Sequence, residues 1–182
     1  MASEVKGIWF ESTRGWLLRT HGPEALARVE QRLAPELRGL LRDPMASQWY
    51  PESALAELLA ATRAELTDGS ARGFVAMVED ITLDGVGRFF RLLLSLASPG
   101  FVLRKVPVLW SRMRRGSGRV EVETLSDRVR VRYSEFPWFN DENYRLMTLA
   151  TIQGICRAAG SRAPVAEVVQ WSHDTLDVDV FS

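Results

Sequence analysis

The sequence holds one cysteine, two histidines and two lysines among its 182 residues. A lone Cys156 rules out an intramolecular disulfide and any four-thiolate metal site. His21 and His173 stand far apart, and no two ligand-type residues fall at a zinc-type spacing. No apolar run reaches the ~20 residues that a bilayer span requires. The opening Met1-Ala2-Ser3-Glu4 has neither the basic nor the apolar region of a signal peptide. A surplus of charge is missing too. With 23 basic and 23 acidic residues the net charge is zero, so no overall field draws the chain to nucleic acid or an anionic membrane. The expectation is a cytoplasmic chain with no membrane span, no metal and no cofactor, for which nucleic acid is an unfavoured partner.

What is present is ordinary in amount. Hydrophobic residues make up 46% and charged residues 25%, as in globular proteins, and the length suits a single domain over 1–182. Arginine supplies every basic side chain except Lys6 and Lys105. That suits bidentate anion recognition. Arginines scattered through every segment are equally the mark of a GC-rich genome.

The first part reads as helices, over about 8–115. Trp9 to His21, Pro23 to Leu33, a short piece between Pro35 and Pro44, and Pro51 to Leu66 each carry the 3.6-residue apolar period. Trp49-Tyr50-Pro51 is an extended entry to the last of these. Ala71 to Ala97 is the longest helix, with Gly85 and Gly87 pointing to a kink or close helix packing. Phe101 to Arg115 reads as one further helix, bent by Pro107.

After Gly116-Ser117-Gly118 the period changes to two, opening a sheet-containing part over about 118–181. Val120 and Val122 alternate with Glu121 and Glu123, Ser126-Asp127 turns the chain, and Val129, Val131 and Tyr133 alternate with arginines. That turn sets Glu123 opposite Arg130 and Glu121 opposite Arg132, predicting two cross-strand ion pairs on the wet face. A helix from Asn140 or Asp141 to Gly160 follows, then strands at Val165 to Trp171 and from Leu176 to Val180. The fold class is α+β: an N-terminal helical bundle, then strand-strand-helix-strand-strand in a mostly antiparallel sheet.

The sequence carries few reactive groups. Cys156 falls on the apolar face of a helix, as a structural thiol does. His21 closes a helix and His173 sits in a strand turn, each open to a base or haem-ligand reading. Gly116-Ser117-Gly118 follows a helix instead of opening one, the wrong order for a phosphate loop. Arg104 to Arg119 holds six basic residues and no acidic one, around Trp110. It reads as a solvated face or as a surface for an acidic partner. Trp49, Tyr50, Phe89, Phe90 and Phe101 are suited to lining an apolar pocket between helices and sheet, or to filling the core.

Val5-Lys6-Gly7-Ile8-Trp9-Phe10, Gly22-Pro23-Glu24, Trp49-Tyr50-Pro51, Ser98-Pro99 before Phe101, Pro107-Val108-Leu109-Trp110 and Phe136-Pro137 run in order over nearly the whole chain. In these the sequence resembles an uncharacterised paralogous family found largely in myxobacteria. More distantly the layout is similar to 4-vinyl reductase-type domains, TRAPP vesicle-tethering subunits and haem nitric-oxide-binding domains. These relatives imply a ligand-binding or adaptor module, often dimeric. Two departures stand out. Trp171-Ser172-His173-Asp174-Thr175-Leu176 lacks the cysteines of the 4-vinyl reductase-type ending. The haem-binding relatives carry a histidine on a central helix and a Tyr-x-Ser-x-Arg motif. Here no histidine lies between His21 and His173, and Tyr133-Ser134-Glu135-Phe136-Pro137 has neither the spacing nor the arginine.

The leading expectation is therefore a non-enzymatic cytoplasmic regulatory or adaptor module that binds a protein partner, gated by an apolar ligand, with a homodimer as one form of the assembly. Trp110, Arg112, Arg114 and Arg115 are its expected partner face. The alternative is a small-molecule sensor, for a lipid-like or aromatic ligand, with its pocket lined by the five aromatics above.

Overall fold

The computed structural model describes the backbone of residues 3–95 and 98–182, and their side chains except those of 86–95. Strand β1 (Glu4–Lys6) leads into helices α1 (Ile8–Thr20) and α2 (Gly22–Arg32), then a 3-10 turn at Arg38–Leu41. Strand β2 (Trp49–Pro51) precedes α3 (Glu52–Leu66), α4 (Ala71–Ser95), α5 (Pro99–Arg104), α6 (Val106–Met113) and the short β3 (Arg114–Arg115). Next come β4 (Arg119–Thr124), β5 (Val129–Ser134), a second 3-10 turn at Pro137–Asn140, α7 (Glu142–Ala158), β6 (Val165–Trp171) and β7 (Leu176–Phe181). The chain is α+β with helices first and both sheets antiparallel.

The larger sheet has the order β4-β5-β7-β6. Alternation puts Val129, Val131 and Tyr133 of β5 with Leu176, Val178 and Val180 of β7 on one buried face. Helix α7 contacts this sheet and also packs on α4, so it forms the middle layer. Asp141 caps α7 by accepting from the Asn143 N–H at 2.8 Å, as the sequence suggests.

The hairpin has the expected register: Glu121 faces Arg132, Val122 faces Val131 and Glu123 faces Arg130. The ion pairs differ from that expectation. Arg130 turns to Asp179 and donates to both carboxylate oxygens at 2.7 and 2.8 Å. Arg132 lies 3.1 Å from Glu123 and 3.6 Å from Asp177. The reason is the next strand. Strand β7 sets Asp179 beside Arg130 and Asp177 beside Arg132, and a bidentate fork is the better contact.

Two further elements depart from the sequence reading. The expected single helix over Phe101 to Arg115 is two helices and a strand. Pro107 has no N–H and a fixed φ, so it opens the first turn of α6 instead of bending a longer helix. The other is a small sheet of order β2-β1-β3. Its strands of two and three residues are too short to carry a period. No helix among the described residues is long and apolar enough to cross a membrane.

Hydrogen bonds from Arg130 hold the Asp179 carboxyl below the usual carboxylate range, and Arg128 adds to the effect. A carboxyl with a depressed folded-state pKa stabilises at neutral pH and loses that contribution as pH falls below its unfolded value of about 3.9. Between pH 6 and pH 3 the wild type should therefore lose more urea stability than Asp179→Asn. Equal losses would show that the pair carries no pH-dependent stability.

Candidate functional site

The turn from β1 into α1 is crowded. A β-carbon at Gly7 would overlap the Met45 carbonyl oxygen and the Tyr50 ring, so only glycine lets the Pro44–Ser47 loop close on the start of α1. The Gly7 N–H donates to the Gln48 carbonyl at 2.8 Å and fixes that approach. A second close approach lies across the helices, where a β-carbon on Gly85 of α4 would overlap Ser12 of α1. Held at these two points, α1, the 44–47 loop, α4 and the end of α6 enclose a cleft of about 520 Å³.

Its walls are apolar: Ile8 and Trp9 from α1, Met45 and Ala46 from the loop, Ile81 from α4 and Met113 from α6. Thr82 also lines it, but its hydroxyl donates back to the Val78 carbonyl at 2.8 Å. Lys6, Glu11 and Arg112 are the charged residues of the lining. The Lys6 ammonium donates to the Ser47 carbonyl at 2.8 Å and lies 4.2 Å from the centre of the Trp49 ring. A second depression, of about 460 Å³, lies against the charged outer face of the larger sheet. Its guanidinium groups, Arg130 and Arg132, are already taken up by Asp179, Asp177 and Glu123.

Of the five aromatics expected to line a pocket, Phe89 and Phe90 lie outside the described residues. Trp49, Tyr50 and Phe101 do not line the cleft. Tyr50 stands behind the loop, with its ring 5.0 Å from Phe10 and its hydroxyl accepting from the Met45 N–H at 3.2 Å. It positions a wall without forming one. Phe101 is exposed on α5. Ile8, Trp9, Ile81 and Met113 gave no separate signal, because cleft and core residues share one apolar spacing.

The expected partner face does not form one surface. Because the helix ends at Met113, the strand alternation of β3 turns Arg114 inward and Arg115 outward. Arg115 pairs with Glu4 at 2.5 Å, and Arg112 is exposed at the cleft rim. Trp110 is half-buried, 5.2 Å from the Tyr133 ring and 5.0 Å from Phe136.

Arg114 belongs to a buried ionic network. Its Nε donates to Glu52 Oε1 at 2.9 Å, and Glu52 has no exposure at all. The Tyr144 hydroxyl lies 2.6 Å from Glu52 Oε2 and 2.8 Å from the Glu52 carbonyl oxygen. Burial first, then the Glu52 charge, push the Tyr144 phenol far above its usual range. Arg114 Nη2 has no hydrogen-bond partner among the described residues, but the guanidinium stacks 4.4 Å above the Trp110 ring. The network ties β3, the start of α3 and α7 together, one residue beyond the Met113 wall of the cleft.

The remaining reactive groups lie elsewhere. His21 packs edge-on against Trp16 at 5.0 Å. His173 is largely exposed in the β6–β7 turn, 3.6 Å from Asp174. Cys156 is fully buried, and burial pushes its thiol up to about 12. Among the described residues no three His, Cys, Asp or Glu side chains form a metal-binding group.

No protein-family model matches the chain, and no curated protein does. Solved structures do. A triple mutant of an H-NOX protein from S. oneidensis in the Fe(II) ligation state aligns with a TM-score of 0.70 at 12% identity, over 97% of this chain and 95% of that one. The chain has an H-NOX-like fold. An oxygen-binding H-NOX domain related to soluble guanylate cyclases, in its oxygen complex, gives 0.64 at 11% identity over 97% and 94%. The Fe(II) unliganded H-NOX protein from K. algicida gives 0.62 at 12% identity over 97% and 95%. Of the distant resemblances drawn from the sequence, the haem nitric-oxide-binding one is thus carried at the level of fold.

Removing one partner of a buried ion pair strands the other charge, at a cost of about 3–5 kcal/mol. Glu52→Gln should lower the stability read from urea unfolding by that order. Glu52→Leu combined with Arg114→Met should recover much of it. A single variant within about 1 kcal/mol of wild type would show the pair to be dispensable.

Proposed function

We propose that this chain is a non-enzymatic cytoplasmic sensor module that binds an apolar small molecule in the cleft between α1, α4 and α6. The observation that carries the reading is the cleft itself. Its volume of about 520 Å³ is that of a small-molecule site, with mainly apolar walls and charges confined to a few positions. The H-NOX-like fold supports a sensor over a plain adaptor, because the neighbours are described as haem and oxygen-binding proteins. The sequence resemblance to the myxobacterial family adds no activity to this reading.

Haem does not fit the residues present. Protein ligands to haem iron are imidazole, thiolate or phenolate groups, with methionine serving beside histidine. Neither histidine lines the cleft, and neither does Cys156 or any of Tyr50, Tyr133 and Tyr144. The segment 86–97, Val-Gly-Arg-Phe-Phe-Arg-Leu-Leu-Leu-Ser-Leu-Ala, supplies no His, Cys, Tyr or Met. The cleft offers the Met45 and Met113 thioethers, the Glu11 carboxylate, the Ser12 hydroxyl and an ammonium already bonded to Ser47, and neither thioether has a histidine beside it. The ligand in this reading is therefore a lipid-like or aromatic molecule held by burial, and no step runs through iron.

Occupancy has a route outward. A ligand that moves Met113 moves the neighbouring Arg114, and with it the network to α3 and α7. Helix α4 likewise runs from the cleft at Ile81 to its packing on α7. A protein partner or a second copy of the chain would receive the change.

A dansyl-labelled fatty acid tests the reading by fluorescence titration. Saturable one-to-one binding to the wild type is expected. Ala46→Trp and Met113→Trp, which fill the cleft from its walls, should each weaken it about tenfold or more with unfolding temperature held within a few degrees. No saturable binding, or binding unchanged in both variants, would overturn the cleft as the ligand site.

A further inference from the structure

Helices α5 and α6 turn a single face to solvent. Phe101, Arg104, Lys105, Val108, Ser111 and Arg112 are all exposed, and their spacing of three and four residues carries one stripe across the break at Lys105. Between them, Val102, Leu103 and Val106 are buried and anchor the pair to the core. Phe101 is 46% exposed and Val108 48%, so two apolar side chains stand out between three cations. Residues 98–119 contain no Asp or Glu. Arg104, Lys105 and Arg112 have no carboxylate within 4.0 Å among the described residues, whereas Arg114, Arg115 and Arg119 are paired with Glu52, Glu4 and Glu135. Lys105 Nζ lies 5.4 Å from the centre of the Phe101 ring, so cation and ring project together.

From this we infer that the α5–α6 face docks on an anionic lipid surface. The net charge of the chain is zero, so the attraction is local: three uncompensated cations on one side, screened within about a Debye length. The protruding apolar pair decides between an acidic protein and a membrane. Phe101 and Val108 are exposed on the same stripe as the cations, which suits insertion between headgroups while the flanking cations meet phosphates. The stripe also ends at the cleft, since Arg112 belongs to both and Met113 follows it. A lipid-like molecule arriving through the bilayer surface would meet the cleft rim at the point of contact. The docking itself requires nothing of the cleft's ligand.

Flotation of the full chain with vesicles tests this, using phosphatidylcholine alone and equal parts of phosphatidylcholine and phosphatidylserine. Binding is expected to the anionic vesicles only, falling as salt is raised. The triple variant Arg104→Glu, Lys105→Glu and Arg112→Glu should lose it about a hundredfold or more. Phe101→Ser with Val108→Ser, charges intact, should also weaken it several-fold. These side chains are exposed, and unchanged near-ultraviolet circular dichroism confirms that both variants fold. Equal binding to neutral and anionic vesicles, or a charge-reversed variant that still floats, would overturn the inference. So would capture by polyglutamate with no vesicle binding, which assigns the face to an acidic protein instead.

Discussion

A carboxylate with no solvent exposure stands where three parts of this chain meet, and the arrangement of the rest depends on its neutralisation. Glu52 begins α3, Arg114 comes from β3 and Tyr144 from α7, so one hydrogen-bonded cluster joins segments that are 62 and 92 residues apart in sequence. Ionic clusters of this kind contribute little net stability compared with an apolar replacement, but removing one partner leaves a buried charge uncompensated. Here the fixed arrangement orients the end of α6. With Arg114 turned inward, Met113 and Arg112 fall at the cleft. The rings of Trp110 and Phe136 lie against the guanidinium, with Tyr133 and Phe139 packed behind them, and Arg114 is buried.

The same scaffold carries haem proteins among its solved neighbours, with about one residue in nine the same. What a fold keeps at that distance is the path of the chain and the clefts it encloses, whereas chemistry belongs to particular side chains. This chain encloses a cleft between the first helix, the long helix and the segment before the larger sheet. The side chains around it are mainly thioether, aliphatic and indole groups, with Lys6, Glu11 and Arg112 as the charged positions. A site that has apolar contact and no strong iron ligand selects for shape and hydrophobicity.

The parts of the fold legible in the sequence are those whose signal is local. The β4–β5 hairpin declared itself twice, through alternating valines and through glutamates facing arginines. The two last strands were equally plain, and the start of α7 was narrowed to Asn140 or Asp141, of which Asp141 is the cap. The small sheet was hidden because strands of two and three residues show no period, and β1 finds its partners far along the chain, at Trp49–Pro51 and Arg114–Arg115. The inward turn of Arg114 was hidden for a related reason: six basic residues without an acidic neighbour read as a solvated face until the chain leaves the helix at Met113. The cleft was the least legible feature. Ile8, Met45, Ile81 and Met113 come from four segments brought together by close approaches at Gly7 and Gly85, and neither glycine announces its neighbour. The aromatics expected to line a pocket illustrate the same limit, since Tyr50 proved to brace a wall from behind and Phe101 to face solvent.

The most direct measurement is a native mass spectrum, with an absorption spectrum, of the chain purified without any delipidating step. A discrete adduct lighter than haem, with no Soret band, is the expected result. It should disappear from Ala46→Trp while the folded charge-state envelope is kept. A haem adduct with its Soret band, or a chain that is bare in every preparation and takes up no apolar ligand when one is supplied, would contradict a haem-free sensor built on this cleft.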